Sequence, residues 1–134
     1  MAYNIKYPMR RKMATVLKRV LRNNFLVDTG TLVDSVRINA EISDRFNLRI
    51  QIVAAYYFGF LNNGTQTIGA YNLLRQFDVA LDDAGIYAEI WGDYTEYLLT
   101  KYPILEIDNI LDRAGDILFS FEPLFGEFYG ELDY

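Results

Sequence analysis

Two segments with a strict two-residue alternation decide the fold of this chain: Val36-Arg37-Ile38-Asn39-Ala40-Glu41-Ile42 and Phe46-Asn47-Leu48-Arg49-Ile50-Gln51-Ile52. Successive side chains of a strand point to opposite faces of a sheet, so each segment is predicted to bury one face and expose the other. Only Ser43-Asp44-Arg45 lies between them, a short polar connection that is typical of a hairpin. We therefore predict an antiparallel β-hairpin over residues 36–53.

An amphipathic helix is predicted on the N-terminal side of this hairpin. Apolar residues recur there at three- and four-residue steps: Met9, Met13, Val16, Leu17, Val20 and Leu21. Pro8 suits the first turn, where its missing N–H has no partner to lose. We expect residues 8–22 to cover the buried face of the hairpin.

The same periodicity predicts further helical segments on the C-terminal side of the hairpin. They comprise one or two turns over residues 55–61 and helices over 73–81, 86–98 (interrupted by Gly92) and 107–121, and a brief helical turn at Thr31 precedes the hairpin. The predicted class is α+β, with a small antiparallel β-sheet packed against the N-terminal amphipathic helix and the C-terminal helices.

The length of 134 residues is consistent with one domain. We predict a single α+β domain over residues 1–120 and an acidic aromatic C-terminal tail over residues 121–134. Pro123, Gly126 and Gly130 disfavour a long regular element in that tail. The tail could fold back on its own domain through Phe125 and Phe128, or dock on a neighbouring copy or partner.

The composition argues against several classes of function. Cysteine and histidine are absent, which excludes disulfides and thiolate metal sites and removes the commonest general base. Pairs of carboxylates remain as candidates for acid–base chemistry, and we expect them to be solvated surface charge: Asp82 with Asp83, Glu106 with Asp108, and Asp112 with Asp116. We expect no enzymatic activity, no cofactor and no metal. The chain has neither a signal peptide nor the ~18–20 apolar residues that span a membrane, so a soluble, non-secreted protein is predicted.

Charge is distributed unevenly along the chain. Seven bases precede the first acid, Asp28, whereas residues 78–134 hold fourteen acids and only two bases. The basic helix face is consistent with simple solvation, with subunit contacts or with a nearby nucleic acid. Aromatic residues are favoured anchors of interfaces. The hypothetical subunit or partner interface therefore comprises Arg10, Arg11, Lys18, Arg22, Tyr56, Tyr57, Phe125, Phe128 and Tyr129.

The order of motifs resembles one family. An N-terminal basic helix is followed by Thr29-Gly30-Thr31-Leu32-x-x-Ser35, by the hairpin, and by Tyr56-Tyr57 leading into Asn63-Gly64-Thr65. This order is similar to that of the neck and tail-completion proteins of tailed bacteriophages, typified by gene product ten of a lambda-like phage. The positions that match as a structural motif are Thr29, Gly30, Leu32, Ser35, Gly64 and Thr65. Asn62 or Asn63 stands where the family has an acid.

The resemblance implies a structural virion protein at the head–tail junction, assembled in the host cytoplasm. It would act as a neck, connector or tail-completion subunit in a homo-oligomeric ring. Its partners would be other phage connector and tail proteins, with DNA contact only through proximity to the genome channel and no membrane. The alternative is a small cytoplasmic phage-encoded binding or regulatory module that acts through protein–protein contacts.

Overall fold

The computed structural model of the chain describes residues 2–24, 26, 31–66, 69–102 and 114–125. The α+β class is confirmed. The elements, in chain order, are β1 Tyr3–Asn4, α1 Tyr7–Asn23, α2 Thr31–Ser35, β2 Arg37–Ile42, β3 Leu48–Ala55, α3 Tyr57–Asn63, α4 Leu73–Asp83, α5 Ile86–Lys101 and β4 Ile117–Leu124.

The described strands form one four-stranded sheet in the order β1-β2-β3-β4. The predicted hairpin is confirmed: β2 and β3 pair antiparallel, with Ala40 opposite Ile50. The predicted antiparallel sheet comprises β1, β2 and β3, whereas β4 was not predicted and pairs parallel to β3, from Leu48 opposite Ile117 to Ala55 opposite Leu124. The sheet is therefore mixed.

The core lies between the inner face of the sheet and the helices. All six apolar residues of the predicted stripe on α1 are buried. They share one buried cluster with Leu48, Ile50 and Ile52 of β3, and α4 contributes Leu73, Phe77 and Leu81. The expectation that α1 covers the hairpin is confirmed, and the helix turns its basic face outward.

The predicted helix over residues 107–121 is wrong in its described part, and residues 107–113 lie outside the described residues. Ile117 and Phe121 are in β4. The alternation of Ile117, Phe119 and Phe121 satisfies a strand as well as the helical spacing does, and tertiary contacts decide between them. Phe119 packs on Phe77, with ring centroids 5.8 Å apart, and Phe121 packs on Phe58 at 5.1 Å.

The boundary that we predicted between domain and tail falls inside β4. The parallel ladder continues through Leu124, so residues 121–124 belong to the sheet. The remaining tail residues from 126 onward lie outside the described part of the chain. Gly92 does not interrupt α5, which runs through it from Ile86 to Lys101, because a single glycine costs a helix only about 0.5–1 kcal/mol.

Ser35 connects α2 to the end of β3. Its side chain is 2% exposed, and its Oγ donates to the carbonyl of Leu32 at 2.7 Å and accepts from the backbone N–H of Ala55 at 2.9 Å. A buried N–H without an acceptor is costly. Ser35 therefore fixes the point at which the chain leaves the sheet.

We expect Ser35→Ala to lower the free energy of unfolding by about 1–3 kcal/mol, because it leaves the buried N–H of Ala55 without its acceptor. Urea unfolding followed by circular dichroism measures this change. The control is Thr15→Ala, which removes an exposed hydroxyl bonded to the Arg11 carbonyl and should change stability by less than about 0.5 kcal/mol. Equal stability of the Ser35→Ala and wild-type chains would contradict this role.

The start of β4 is held against the hairpin turn. The N–H of Gly115 donates to the Phe46 carbonyl at 2.8 Å, and the N–H of Asp116 donates to Asn47 Oδ1 at 2.9 Å. A Cβ on Gly115 would overlap Asn47 Oδ1 and lie 3.1 Å from the carbonyl oxygen of Phe46. This close approach requires glycine.

Gly115→Ala should therefore destabilise the fold by about 1–3 kcal/mol, because the hairpin turn must shift to admit the methyl group. Gly92→Ala is the matched control. A Cβ at this position of α5 would have no atom within 4 Å, so the same substitution should stabilise the helix by about 0.5–1 kcal/mol. Thermal and urea unfolding measure the change in the free energy of unfolding, which should have opposite signs in the two variants. A Gly115→Ala chain as stable as the wild type would refute the tight contact.

Candidate functional site

A groove of about 490 Å³ lies between the N-terminal half of α1 and the adjoining edge of β2. Four of its lining residues are basic: Arg10, Arg11, Lys18 and Arg37. Apolar atoms of Ala14, Val36 and Ile38 contribute to the same surface, and no acidic side chain among the described residues lines it. We call this feature the basic groove.

The sequence of α1 explains how the helix delivers these charges. Arg11 and Lys18 are seven residues apart, close to two helical turns, so they lie on the same face. Arg10 is fixed more firmly, since its Nε donates to the carbonyl of Ile5 at 3.1 Å. Its guanidinium lies 5.4 Å from the ring centroid of Tyr7, and that of Arg11 lies 5.8 Å away. These contacts hold the cations at the entrance of the groove.

Arg37 is a groove residue that sequence reasoning missed. The alternation of β2 marked it only as an outward polar position, and the placement of α1 beside β2 brings it near the helix cations. Its Nη1 donates to the carbonyls of Asp34 and Val36, at 2.9 and 2.8 Å. Arg22, which we predicted together with the other bases, is separated from them. It lies in the last turn of α1, where a cation interacts favourably with the helix dipole.

Other bases near the groove have acidic partners. Lys12 Nζ lies 2.8 Å from Glu89 Oε1, and Arg49 Nη1 lies 3.7 Å from Glu41 Oε1 on the solvent face of the sheet. Within the described part of the chain, no acid pairs with Arg10, Arg11, Lys18 or Arg37. The basic groove is thus a positive surface without internal neutralisation by described residues, on a chain whose net charge is −5.

A second candidate surface is aromatic. Tyr56, Tyr57, Phe60 and Phe125 form what we call the aromatic patch, at the end of β3 and β4. The ring centroids of Tyr56 and Phe125 lie 6.1 Å apart and nearly parallel, at 13°. Tyr56 also contacts Phe60 at 6.1 Å and Tyr57 at 5.5 Å, in both cases edge to face.

The patch is unusually exposed for its composition, with Phe60 54% and Phe125 56% accessible. Phe60 is the member that sequence reasoning missed, because a short helical segment gave no sign of its outward face. Two other residues of the hypothetical interface, Phe128 and Tyr129, lie outside the described residues.

The residues that carry the family resemblance are structural in their described part. Leu32 is buried, Ser35 bonds as described above, and Gly64 ends α3 with φ of 81°. Thr65 follows Gly64 in the connection to α4, whereas Thr29 and Gly30 are outside the described residues. Asn62 has a structural role of its own, since its Oδ1 accepts from the N–H of Leu74 at 2.8 Å and so ties α3 to α4.

The best-positioned acid–base pair in the described chain is Tyr87 with Asp78. The Tyr87 hydroxyl donates to Asp78 Oδ1 at 2.6 Å and joins α5 to α4. Burial, followed by this hydrogen bond and the nearby carboxylates, raises the pKa of Tyr87 well above its ordinary value. The phenol therefore stays protonated at neutral pH, which suits a structural clasp rather than a base.

Of the three carboxylate pairs considered from the sequence, only Asp82 with Asp83 lies entirely within the described residues. Asp82 and Asp83 are exposed at the end of α4, and Asp116 is exposed before β4. Glu106, Asp108 and Asp112 lie outside the described residues. Among the residues that are described, no three acidic side chains are grouped as a metal site.

Comparisons of the chain with protein-family models, with curated proteins and with solved structures found no match. Within the described ranges, no helix combines the length and the apolar character that crossing a bilayer requires.

The Tyr87 clasp predicts a loss of stability in alkali. Its pKa is raised in the folded state, so its contribution is complete below the ordinary tyrosine pKa of about 10 and is lost as the pH rises above it. We expect Tyr87→Phe to unfold more easily at neutral pH and to lose less stability between about pH 8 and pH 11 than the wild type does. Tyr3 and Tyr94, whose pKa values burial also raises, leave a residual slope.

Urea unfolding across this pH range measures the effect. Tyr7→Phe, which removes the hydroxyl of an exposed tyrosine, is the control and should change the stability at neutral pH by less than about 0.5 kcal/mol. A Tyr87→Phe chain with the same pH dependence as the wild type would refute the clasp.

Proposed function

We propose that this chain is a ring-forming structural subunit at the head–tail junction of a tailed bacteriophage. The observation that carries the proposal is the basic groove, which the described residues leave without a neutralising acid on a chain that is acidic overall. A head-to-tail ring needs two different, mutually complementary surfaces on each copy. The basic groove and the acid-rich C-terminal half supply such a pair.

The resemblance of motifs supports the same assignment. Ser35 and Gly64, two positions of the shared motif, have structural roles in this fold, as the frame of an assembly subunit would require. The functional surfaces then lie outside the motif, in the basic groove and the aromatic patch. The aromatic patch provides a second contact surface of the kind that favours protein partners, because exposed aromatic clusters are enriched in interfaces.

A role as a small phage-encoded binding or regulatory module is the second candidate. The aromatic patch favours it specifically, since two half-exposed phenylalanines suit a host or phage protein as well as a neighbouring virion subunit. The two functions differ in where the protein is found. A virion subunit is present in purified particles, whereas a regulatory module remains in the cell.

The test compares two double charge reversals on the same helix. Arg11→Glu with Lys18→Glu alters the basic groove, whereas Arg19→Glu with Arg22→Glu alters charges on α1 outside it. Both change the net charge equally, and both leave Arg10 and its bond to Ile5 intact. We expect the groove pair to reduce incorporation into particles at least tenfold, while the control pair is incorporated normally.

Mass spectrometry of purified particles measures incorporation, and electron microscopy shows whether heads and tails are joined. Circular dichroism establishes that both variants are folded. Absence of the wild-type chain from particles would overturn the proposed function and favour the regulatory module. Equal incorporation of the two variant chains would overturn the role of the basic groove.

A further inference from the structure

The edge of β2 that borders the basic groove is open to a further strand. β1 pairs with β2 only at Tyr3 opposite Ile42 and Asn4 opposite Glu41, and the N–H of Ile5 then donates to the Ala40 carbonyl at 3.0 Å. At Tyr7 the chain leaves the sheet and enters α1. No described strand therefore pairs with Arg37–Asn39 on the groove side.

The direction of the backbone N–H and C=O groups alternates from one residue to the next along a strand. Because the carbonyl of Ala40 points toward β1, the N–H and C=O of Ile38, two residues away, point to the same side and into the groove. An extended peptide can bind such an edge through main-chain hydrogen bonds, with neighbouring side-chain surfaces providing specificity. In this groove the side-chain surface is basic on α1 and apolar at Ala14, Val36 and Ile38.

The last nine residues of the chain have the complementary pattern. Their sequence is Gly126-Glu127-Phe128-Tyr129-Gly130-Glu131-Leu132-Asp133-Tyr134. In an extended conformation Glu127, Glu131 and Asp133 share one face, and Phe128, Leu132 and Tyr134 share the other. The segment has three acids and no base. The acidic face of such a strand complements the cations that line the groove.

We propose that the basic groove binds residues 126–134 of a second copy of this chain, added as a strand to the free edge of β2. The acidic face lies toward Arg11 and Lys18 of α1, and the apolar face lies on the opposite side of the added strand. This inference rests on the proposed function, and it identifies the two surfaces that join neighbouring subunits in the ring.

The reach of the segment favours a second copy over the same chain. The last described residue, Phe125, follows β4 at one edge of the sheet. The groove lies beyond β2, toward the opposite edge. Three strand spacings amount to about 14 Å, so a segment crossing within its own chain uses about four of its nine residues before reaching the groove. Glu127 would then lie in the crossing segment and not in the groove. A segment from a neighbouring copy can place all three acids in the groove.

Complementary charge reversals test the proposal with full-length chains. The groove variant carries Arg11→Glu, Lys18→Glu and Arg37→Glu, and the tail variant carries Glu127→Lys, Glu131→Lys and Asp133→Lys. Each variant alone presents like charges on both surfaces and should lose self-association at least tenfold. When the two are mixed, each groove meets a tail of opposite charge, and we expect association to return.

Analytical ultracentrifugation measures the assembly state, and native mass spectrometry shows whether the complexes contain both variants. Circular dichroism and thermal unfolding establish that each variant is folded. Arg19→Glu with Arg22→Glu is the control outside the groove and should associate as the wild type does. Recovery in the mixture, in complexes that contain both chains, supports the proposal, because binding within one chain cannot be restored by mixing.

Four results would overturn it. A mixture that stays monomeric, or a wild-type chain that does not self-associate at its highest soluble concentration, excludes binding between copies. If the wild-type chain is monomeric, and all six substitutions in one chain restore the thermal stability that either variant alone loses, the tail binds its own groove. Loss of binding to a fluorescent oligonucleotide in the groove variant, with normal self-association of the tail variant, identifies the groove as a nucleic-acid site. The mixing experiment uses purified chains, whereas the proposed function is tested by incorporation into particles. Either experiment can fail while the other succeeds, so the two proposals are tested separately.

Discussion

The inner face of β3 is the constraint on which the rest of the structure depends. β3 belongs to both the antiparallel hairpin and the parallel pair. Leu48, Ile50 and Ile52 on its inner face are fully buried. Burying three such side chains contributes roughly 5–9 kcal/mol, so the face must be covered along its whole length. The helices enclose this core, and α1 packs its apolar stripe against β2 and α4. This fixes the rotation of α1 and turns Arg11 and Lys18 toward the edge of β2.

The hairpin and α1 could be predicted from the sequence because each has one local period and one solvated face. β4 could not, because residues 117–121 satisfy both periods at once. Ile117, Leu118 and Phe121 have helical spacing, whereas Ile117, Phe119 and Phe121 alternate as a strand does. The choice depends on β3, whose Leu48 lies opposite Ile117. Because β3 is far from β4 along the chain, the local pattern of apolar residues in β4 does not indicate this pairing.

The candidate site was predictable in part, for the same reason. The cations of α1 could be assigned to one helix face from their spacing. Arg37 joins them only because the hairpin lies beneath the helix, and Arg22 leaves them because the groove ends before the last turn of α1. Similarly, the stacking of Tyr56 on Phe125 depends on the pairing of β3 with β4, where the N–H of Tyr56 donates to the carbonyl of Leu124 at 2.8 Å. Sequence reasoning named both rings but could not place them together.

The shortness of β1 leaves open the strand edge that the proposed assembly uses. α1 begins at Tyr7, so the chain leaves the sheet before it can pair with Ile38, and an open strand edge results. An open edge is normally a route to indiscriminate pairing, and charged side chains beside it oppose that. Among the described residues, the charged side chains that line the groove are all positive. Two grooves brought face to face repel one another, whereas an acidic strand is attracted. The same residues thus disfavour a symmetric dimer and favour a heterologous contact, in which one surface binds a different one.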